Sequence, residues 1–214
     1  MKNRNKLEEF SELAVKTAEL IAEGRDWSEA RSKIAEFYDV PVFRQPSDEE
    51  IESALRCHYS IYDPQGHALR LLELRETALF IMRELSAFQP RLTKGVLSGC
   101  ADQYSDICLQ AVSEDLKAFQ IALLDRDVDF TVLPNPKSGR KEFAEEVVFE
   151  APLKPNGYFA VNRMTVWVRV KVFETQPPVR QKSEKTPDAW QIPLEAAKSV
   201  DIDGLTHLID STRV

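Results

Sequence analysis

Apolar residues recur every three or four positions through most of residues 1–90, which is the spacing of amphipathic helices. The pattern predicts four helices, at residues 4–23, 26–37, 47–58 and 64 to about 88. Ser47 precedes Glu50 by three residues, the spacing of a capping box, and is expected to start the third helix. Asp63 and Pro64 supply a cap and a proline at the first position of the fourth helix.

The fourth helix carries one continuous apolar stripe. Its members recur at alternating steps of three and four: Leu71, Leu74, Ala78, Ile81, Leu85 and Phe88. Such a stripe usually packs on the chain's own sheet, although it can also pair two subunits or bind a partner. The charged residues off the stripe are expected to face solvent: Glu73, Arg75, Glu76, Arg83 and Glu84.

Beyond Pro90 apolar and polar residues alternate, which is the period of a half-buried strand. The pattern predicts five strands, at residues 92–97, 106–112, 128–133, 146–151 and 165–173. A helix capped within 113–115 follows the second strand, and a short helix is expected at 203–209. The sequence therefore predicts an α+β fold, with a helical N-terminal half packed on a mixed sheet of about five strands.

The same changes in pattern divide the chain into three predicted regions. Residues 1–90 are a helical region, and residues 91–174 are an α/β core. Residues 175–214 combine a segment rich in proline and charge, typical of a surface arm, with the short C-terminal helix.

Composition narrows the possible functions. Hydrophobic residues make up 43% and charged residues 29%, so a packed core is expected, while the net charge of −7 argues against a broad nucleic-acid surface. Residues 27–40 could be half of a helix-turn-helix, but an extended linker follows, so DNA binding is not expected. The basic N-terminus leads into a charged amphipathic segment, which predicts neither a signal peptide nor a membrane anchor. Three cysteines without metal-ligand spacing favour a reducing, cytoplasmic location.

Residues 95–110 hold the candidate chemistry. A corner of small residues that begins at Ser98 and Gly99 leads into a strand that starts with Ser105 and Asp106. Asp106 shares one face of that strand with Cys108. A Gly/Ser corner beside an exposed carboxylate suits phosphates and a hard cation. The alternative, which the residues leave open, is that Asp106 only accepts backbone N–H groups in a turn.

This order of elements resembles the nucleotidyltransferase fold of the polymerase-beta superfamily, in which a strand ends in a Gly-Ser corner and the next carries Ser-Asp-hydrophobic-Asp. The chain keeps Ser105, Asp106 and Ile107 but has Cys108 in place of the second aspartate, and its corner is reversed. The resemblance covers about residues 92–170. It implies a partly degenerate nucleotidyltransferase-like protein that binds a nucleoside triphosphate with Mg²⁺ or transfers a nucleotidyl group weakly.

The resemblance also implies the site residues, because nucleotidyl transfer uses two metal ions held by carboxylates. The candidate catalytic and metal-binding residues are Asp106, Asp102 and Glu150. The candidate nucleotide-binding residues are Ser98, Gly99, Ser105, Lys94 and Arg169. A second pair, Asp127 and Asp129, is expected to be a solvated turn, but Asp129 could face Asp106 if their strands are adjacent.

A rival interpretation starts from the long amphipathic helix. A protein without enzymatic activity would use its apolar stripe as a homodimer interface or as the surface for a protein partner.

Overall fold

The computed structural model describes residues 2–41, 44–102, 104–134, 143–153, 165–175 and 198–212. The chain divides into two compact units, Met1–Ala68 and Leu69–Val214. The division falls inside helix α4, Pro64–Glu84.

The first unit is helical, as the spacing predicted. Its other helices are α1 (Lys2–Ala22), α2 (Trp27–Phe37) and α3 (Asp48–Tyr62). They bury a small apolar core: Leu13, Ala14, Ala18, Ile21, Ala30, Ile34, Ile51 and Leu55.

Side chains at the helix starts define these elements. The capping box before α3 is confirmed, because Ser47 Oγ accepts a hydrogen bond from Glu50 N and Glu50 Oε2 accepts one from Ser47 N. Asp63 Oδ1 accepts from Gly66 N at 3.1 Å at the start of α4. Each contact satisfies an N–H group that the first turn of a helix leaves without a partner.

The second unit contains a six-stranded mixed sheet flanked by helices. Its strands are β1 (Arg91–Thr93), β2 (Ile107–Val112), β3 (Phe130–Pro134), β4 (Glu145–Pro152), β5 (Thr165–Phe173) and β6 (Ser199–Val200). Their order is β3-β4-β5-β2-β1-β6, in which β2 and β5 pair in parallel and the other described pairs are antiparallel. The α+β prediction is confirmed. The sixth strand was missed because two residues carry no readable period.

Three further helices belong to this unit: α5 (Lys94–Ser98), α6 (Leu116–Leu124) and α7 (Ile202–Thr212). The helix predicted to follow a cap within 113–115 and the helix predicted at 203–209 are therefore both confirmed. The predicted arm lies mostly outside the described residues, since 176–197 are not described. Among the residues described, no helix has both the length and the apolar character needed to cross a membrane.

The core lies on one face of the sheet. The apolar stripe, from Leu71 on α4 to Leu85 just after the helix, belongs to one buried cluster with residues of β2, β4 and β5. This agrees with the prediction that the stripe packs on the chain's own sheet. The prediction that Glu73 and Arg75 face solvent was wrong, because both are buried. Helix α4 buries a wider surface than the predicted stripe. The spacing of apolar residues shows which side of a helix is buried, but it does not give the width of the buried surface.

Two predicted boundaries also change. The strand predicted at 92–97 stops at Thr93, because Lys94 has a left-handed φ of 60° and starts α5. Helix α4 stops at Glu84, and a 3₁₀ turn (Ser86–Phe88) follows it. Gln89, with φ of 46°, and then Pro90 prevent the helix from continuing.

Candidate functional site

The sheet face opposite the core is polar and accessible in the described part of the chain. Side chains of β2 and β5 alternate, so that Ile107 and Leu109 are buried while Cys108 is partly exposed. We call the following set the open face: Cys108, Gln110, Glu146, Glu150, Trp167, Arg169 and Lys171. Register places Arg169 beside Cys108 on β2 and beside Val148 on β4, so it lies in the middle of this face.

Arg169 joins two carboxylates at this position. Its Nε donates a hydrogen bond to Glu146 Oε1 at 2.8 Å, and its Nη1 lies 3.7 Å from Asp106 Oδ2. The side chains of Arg169, Glu146 and Asp106 are 39%, 16% and 31% exposed. The hydrogen bond that Arg169 donates to Glu146 is the main reason that the pKa of Arg169 is raised, and the charge of Asp106 raises it further. The guanidinium is therefore a fixed positive charge between two strands.

Cys108 occupies the position at which the resemblance implies a second aspartate. Burial raises the pKa of its thiol, although the positive charge of Lys94 opposes the shift. At neutral pH the side chain is therefore an uncharged thiol. A neutral, soft sulfur is a poor ligand for magnesium.

The small-residue corner is tightly closed. Gly95 O accepts hydrogen bonds from the N–H groups of Gly99, Cys100 and Ala101 at 3.0–3.1 Å. Gly99 has φ of 80°, a conformation that glycine adopts without steric cost, and this confirms the predicted bend. Ser98 is buried, and its Oγ lies 3.2 Å from Cys100 Sγ. Ser98 and Gly99 are both buried, so neither is exposed at the surface of the corner.

A buried arginine supports this corner from the core side. Arg75 on α4 is 1% exposed, and its Nε and Nη2 donate to Val96 O and Leu97 O at 3.1 and 3.2 Å. These carbonyls belong to α5, which is too short to satisfy them along its own axis. Arg75 thus fixes the backbone that leads from β1 into the corner.

Asp102 and Ser105 bind each other. Asp102 Oδ1 accepts from Tyr104 N and from Ser105 Oγ, each at 2.9 Å, while Asp102 N donates to Ser105 Oγ at 2.9 Å. Asp102 is buried, so these local contacts occupy it. Glu150 is exposed on the open face and accepts a hydrogen bond from Thr165 Oγ1.

The three candidate carboxylates do not converge. Among the residues that the structure describes, no group of three or more His, Cys, Asp or Glu side chains could hold a metal ion. Asp102 is held in its turn and Asp106 is paired with Arg169. The described donors therefore do not fit Mg²⁺, which requires several hard oxygen ligands in near-octahedral geometry.

The second aspartate pair is a turn, as expected. Asp127 and Asp129 are exposed, and Asp127, with φ of 55°, donates from its N–H to Leu124 O. Two strands, β4 and β5, separate β3 from β2, so Asp129 does not face Asp106.

Sequence reasoning did not name Glu146 as a candidate, although it contacts Arg169. Alternation around the buried Val147 indicates that Glu146 lies on the polar face of its strand. Only the pairing of β4 with β5 brings it to Arg169, and no local pattern reveals which strands will be neighbours.

Comparisons with protein-family models, with curated proteins and with solved structures give no match to this chain. The nucleotidyltransferase resemblance therefore stays a prediction, which depends on Ser105, Asp106, Ile107 and the corner before them.

Proposed function

We propose that the second unit is a nucleotidyltransferase-like domain that binds a nucleoside triphosphate on the open face without transferring it. The observation that carries this proposal is the position of Arg169. Its guanidinium lies between Asp106 and Glu146, beside the strand start at which the resemblance implies metal-binding aspartates.

The order of elements supports a ligand site at this end of the sheet. Strands β1 and β2 are antiparallel and pair Thr93 with Cys108. The corner that follows β1 therefore lies at the same end of the sheet as the start of β2. Lys94, the first residue of α5 and the residue directly after β1, is exposed. It adds a second positive charge close to the open face.

An aromatic side chain at the same end suits a nucleotide base. Trp167 is 46% exposed and lies one residue before Val168, which pairs with Ile107 at the start of β2. Stacking of a base on such a ring contributes about 1–3 kcal/mol. The open face thus offers a flat surface for a base and cations for phosphates within two neighbouring strands.

The same residues argue against catalysis. Cys108 is an uncharged thiol, Asp102 is engaged in its turn, and Asp106 is paired with a cation. Two-metal transfer needs carboxylates that share the metal ions. We therefore expect binding without release of pyrophosphate.

A thermal-unfolding titration with ATP, GTP, CTP and UTP, each with Mg²⁺, tests the proposal. Ligand at about 100 times Kd stabilises the folded state by about 2.7 kcal/mol, which raises Tm by roughly 5–10 °C. Trp167→Ala is expected to remove most of the shift, and Trp27→Ala, in the first unit, is the matched control. No shift with any of the four nucleotides refutes the proposal, and pyrophosphate release refutes the claim that transfer is lost.

The alternative function, a homodimer or partner interface formed by the apolar stripe of α4, has less support. The α4 stripe that it requires is buried in the core of the second unit from Leu71 to Leu85. A protein partner or homodimer stays a prediction without an assigned surface.

A further inference from the structure

Arg169, a cation of the chain itself, lies against both Asp106 and Glu146. We propose that Arg169 is the phosphate-binding cation of the open face, so that phosphate binding does not require a divalent metal ion. This inference rests on the proposed function for the location of the ligand. It adds that Arg169 holds the phosphate, and it gives Asp106 and Glu146 a role in which they bind no metal ion.

The contacts of Arg169 leave part of its guanidinium available. Among the described residues, the Arg169 side chain donates one hydrogen bond, from Nε to Glu146 Oε1. The Nη1 group lies 3.7 Å from Asp106, which is beyond hydrogen-bond distance, and the side chain is 39% exposed. A guanidinium has five N–H donors in a planar fork, so its outer groups can bind two oxygens of one phosphate.

Glu146 and Asp106 have different roles in this arrangement. Glu146 is the less exposed carboxylate, and it accepts the 2.8 Å hydrogen bond from Nε that fixes the plane of the guanidinium. Asp106 is more exposed and its contact is looser, so an incoming phosphate competes with it for Nη1. If Asp106 instead held a metal ion, its loss would weaken phosphate binding. The two mechanisms therefore predict changes of opposite sign for one substitution.

Asp106→Asn in the 214-residue chain distinguishes the two mechanisms. Binding of ATP and of tripolyphosphate is measured by calorimetry, once with Mg²⁺ and once with EDTA. We expect the native chain to bind both ligands in EDTA. Asp106→Asn should bind them roughly two- to fivefold more tightly, the range for removal of an exposed charge interaction. Asp129→Asn, an exposed aspartate before β3, is the matched control and should leave the affinity unchanged.

Arg169 itself gives the second measurement. Arg169→Gln should weaken tripolyphosphate binding roughly tenfold or more, because charge-assisted hydrogen bonds are lost. Arg169→Lys keeps the charge without the fork and should fall between Gln and the native residue. The Tm and circular dichroism of each variant establish that it is folded.

The outcomes separate this inference from the proposed function. Binding that disappears in EDTA and weakens in Asp106→Asn overturns the inference and leaves nucleotide binding intact. Equal affinity for ATP and tripolyphosphate in EDTA, with tighter binding by Asp106→Asn, supports the inference and refutes nucleotide recognition. Binding of neither ligand overturns both.

Discussion

Arg75→Met should destabilise the second unit by removing the support of α5. Arg75 is 1% exposed and donates to the carbonyls of Val96 and Leu97, and its Nη1 lies 3.5 Å from Thr212 Oγ1. Methionine fills much of the same volume but donates no hydrogen bond. The substitution therefore leaves two buried carbonyls of α5 without these donors.

The magnitude follows from those two carbonyls. Each buried acceptor left unsatisfied costs about 1–3 kcal/mol, so together they cost about 2–6 kcal/mol. Removal of a buried guanidinium recovers part of its desolvation cost, which favours the lower half of that range. We expect the free energy of unfolding to fall by about 2–4 kcal/mol.

Guanidinium chloride unfolding at 25 °C measures this difference, and hydrogen exchange gives a local check. The amides of Gly99, Cys100 and Ala101, which donate to Gly95 O, should exchange faster in Arg75→Met. Arg83→Met is the control, because Arg83 is an exposed arginine on the same helix and should change stability by about 0.5 kcal/mol or less. If the two variants unfold alike, the hydrogen bonds of Arg75 do not stabilise the fold and the reasoning fails.

Three further predictions concern single positions. Ser47→Ala removes the capping box of α3 and should lower stability by about 1 kcal/mol in urea unfolding followed by circular dichroism. Gly99→Ala puts a side chain at φ of 80° and should lower stability by about 1–2 kcal/mol. Cys108 should react with iodoacetamide more slowly than the exposed Cys57 at pH 8, because burial raises its pKa. Folding raises the pKa of the Cys108 thiol, so the folded state favours the protonated form. The contribution of this group to the free energy of unfolding is complete below the pKa of the unfolded state. It is lost as the pH rises through the pKa of the folded state.

Each of these has a clear opposing result. Unchanged stability in Ser47→Ala would mean that water replaces the cap without cost. A Gly99→Ala variant as stable as the native chain would contradict the left-handed corner. Equal labelling rates at the two cysteines would show that the Cys108 thiol is as accessible and as acidic as an exposed one.

Local chemistry explains what the sequence predicted well. The capping box at Ser47 and the proline at Pro64 act within four residues, so the starts of α3 and α4 can be read directly. The alternation of β5 from Val166 to Val172 likewise depends only on which side of the strand is buried.

Contacts between distant segments explain what it predicted poorly. Arg75 looked solvated because it lies off the apolar stripe, yet its partners are in α5, twenty-one and twenty-two residues further along the chain. Arg169 was named as a candidate, but its pairing with Glu146 depends on strand neighbours that no period specifies. Sequence reasoning therefore named Asp106 and Arg169 as candidates but did not predict that Arg169 pairs with Asp106 and Glu146.

The parallel pairing of β2 with β5 has a consequence for how the protein acquires its site. Helix α6 and strands β3 and β4 separate these two strands in the chain, so the ends of a long loop must meet before they can join. Such non-local contacts slow folding, and Asp106 meets Arg169 only once they form. During synthesis, a chain that ends before β5 has β1 and β2 but lacks the strand that carries Arg169. We therefore expect the candidate site to form late in folding, after β5 has been synthesised.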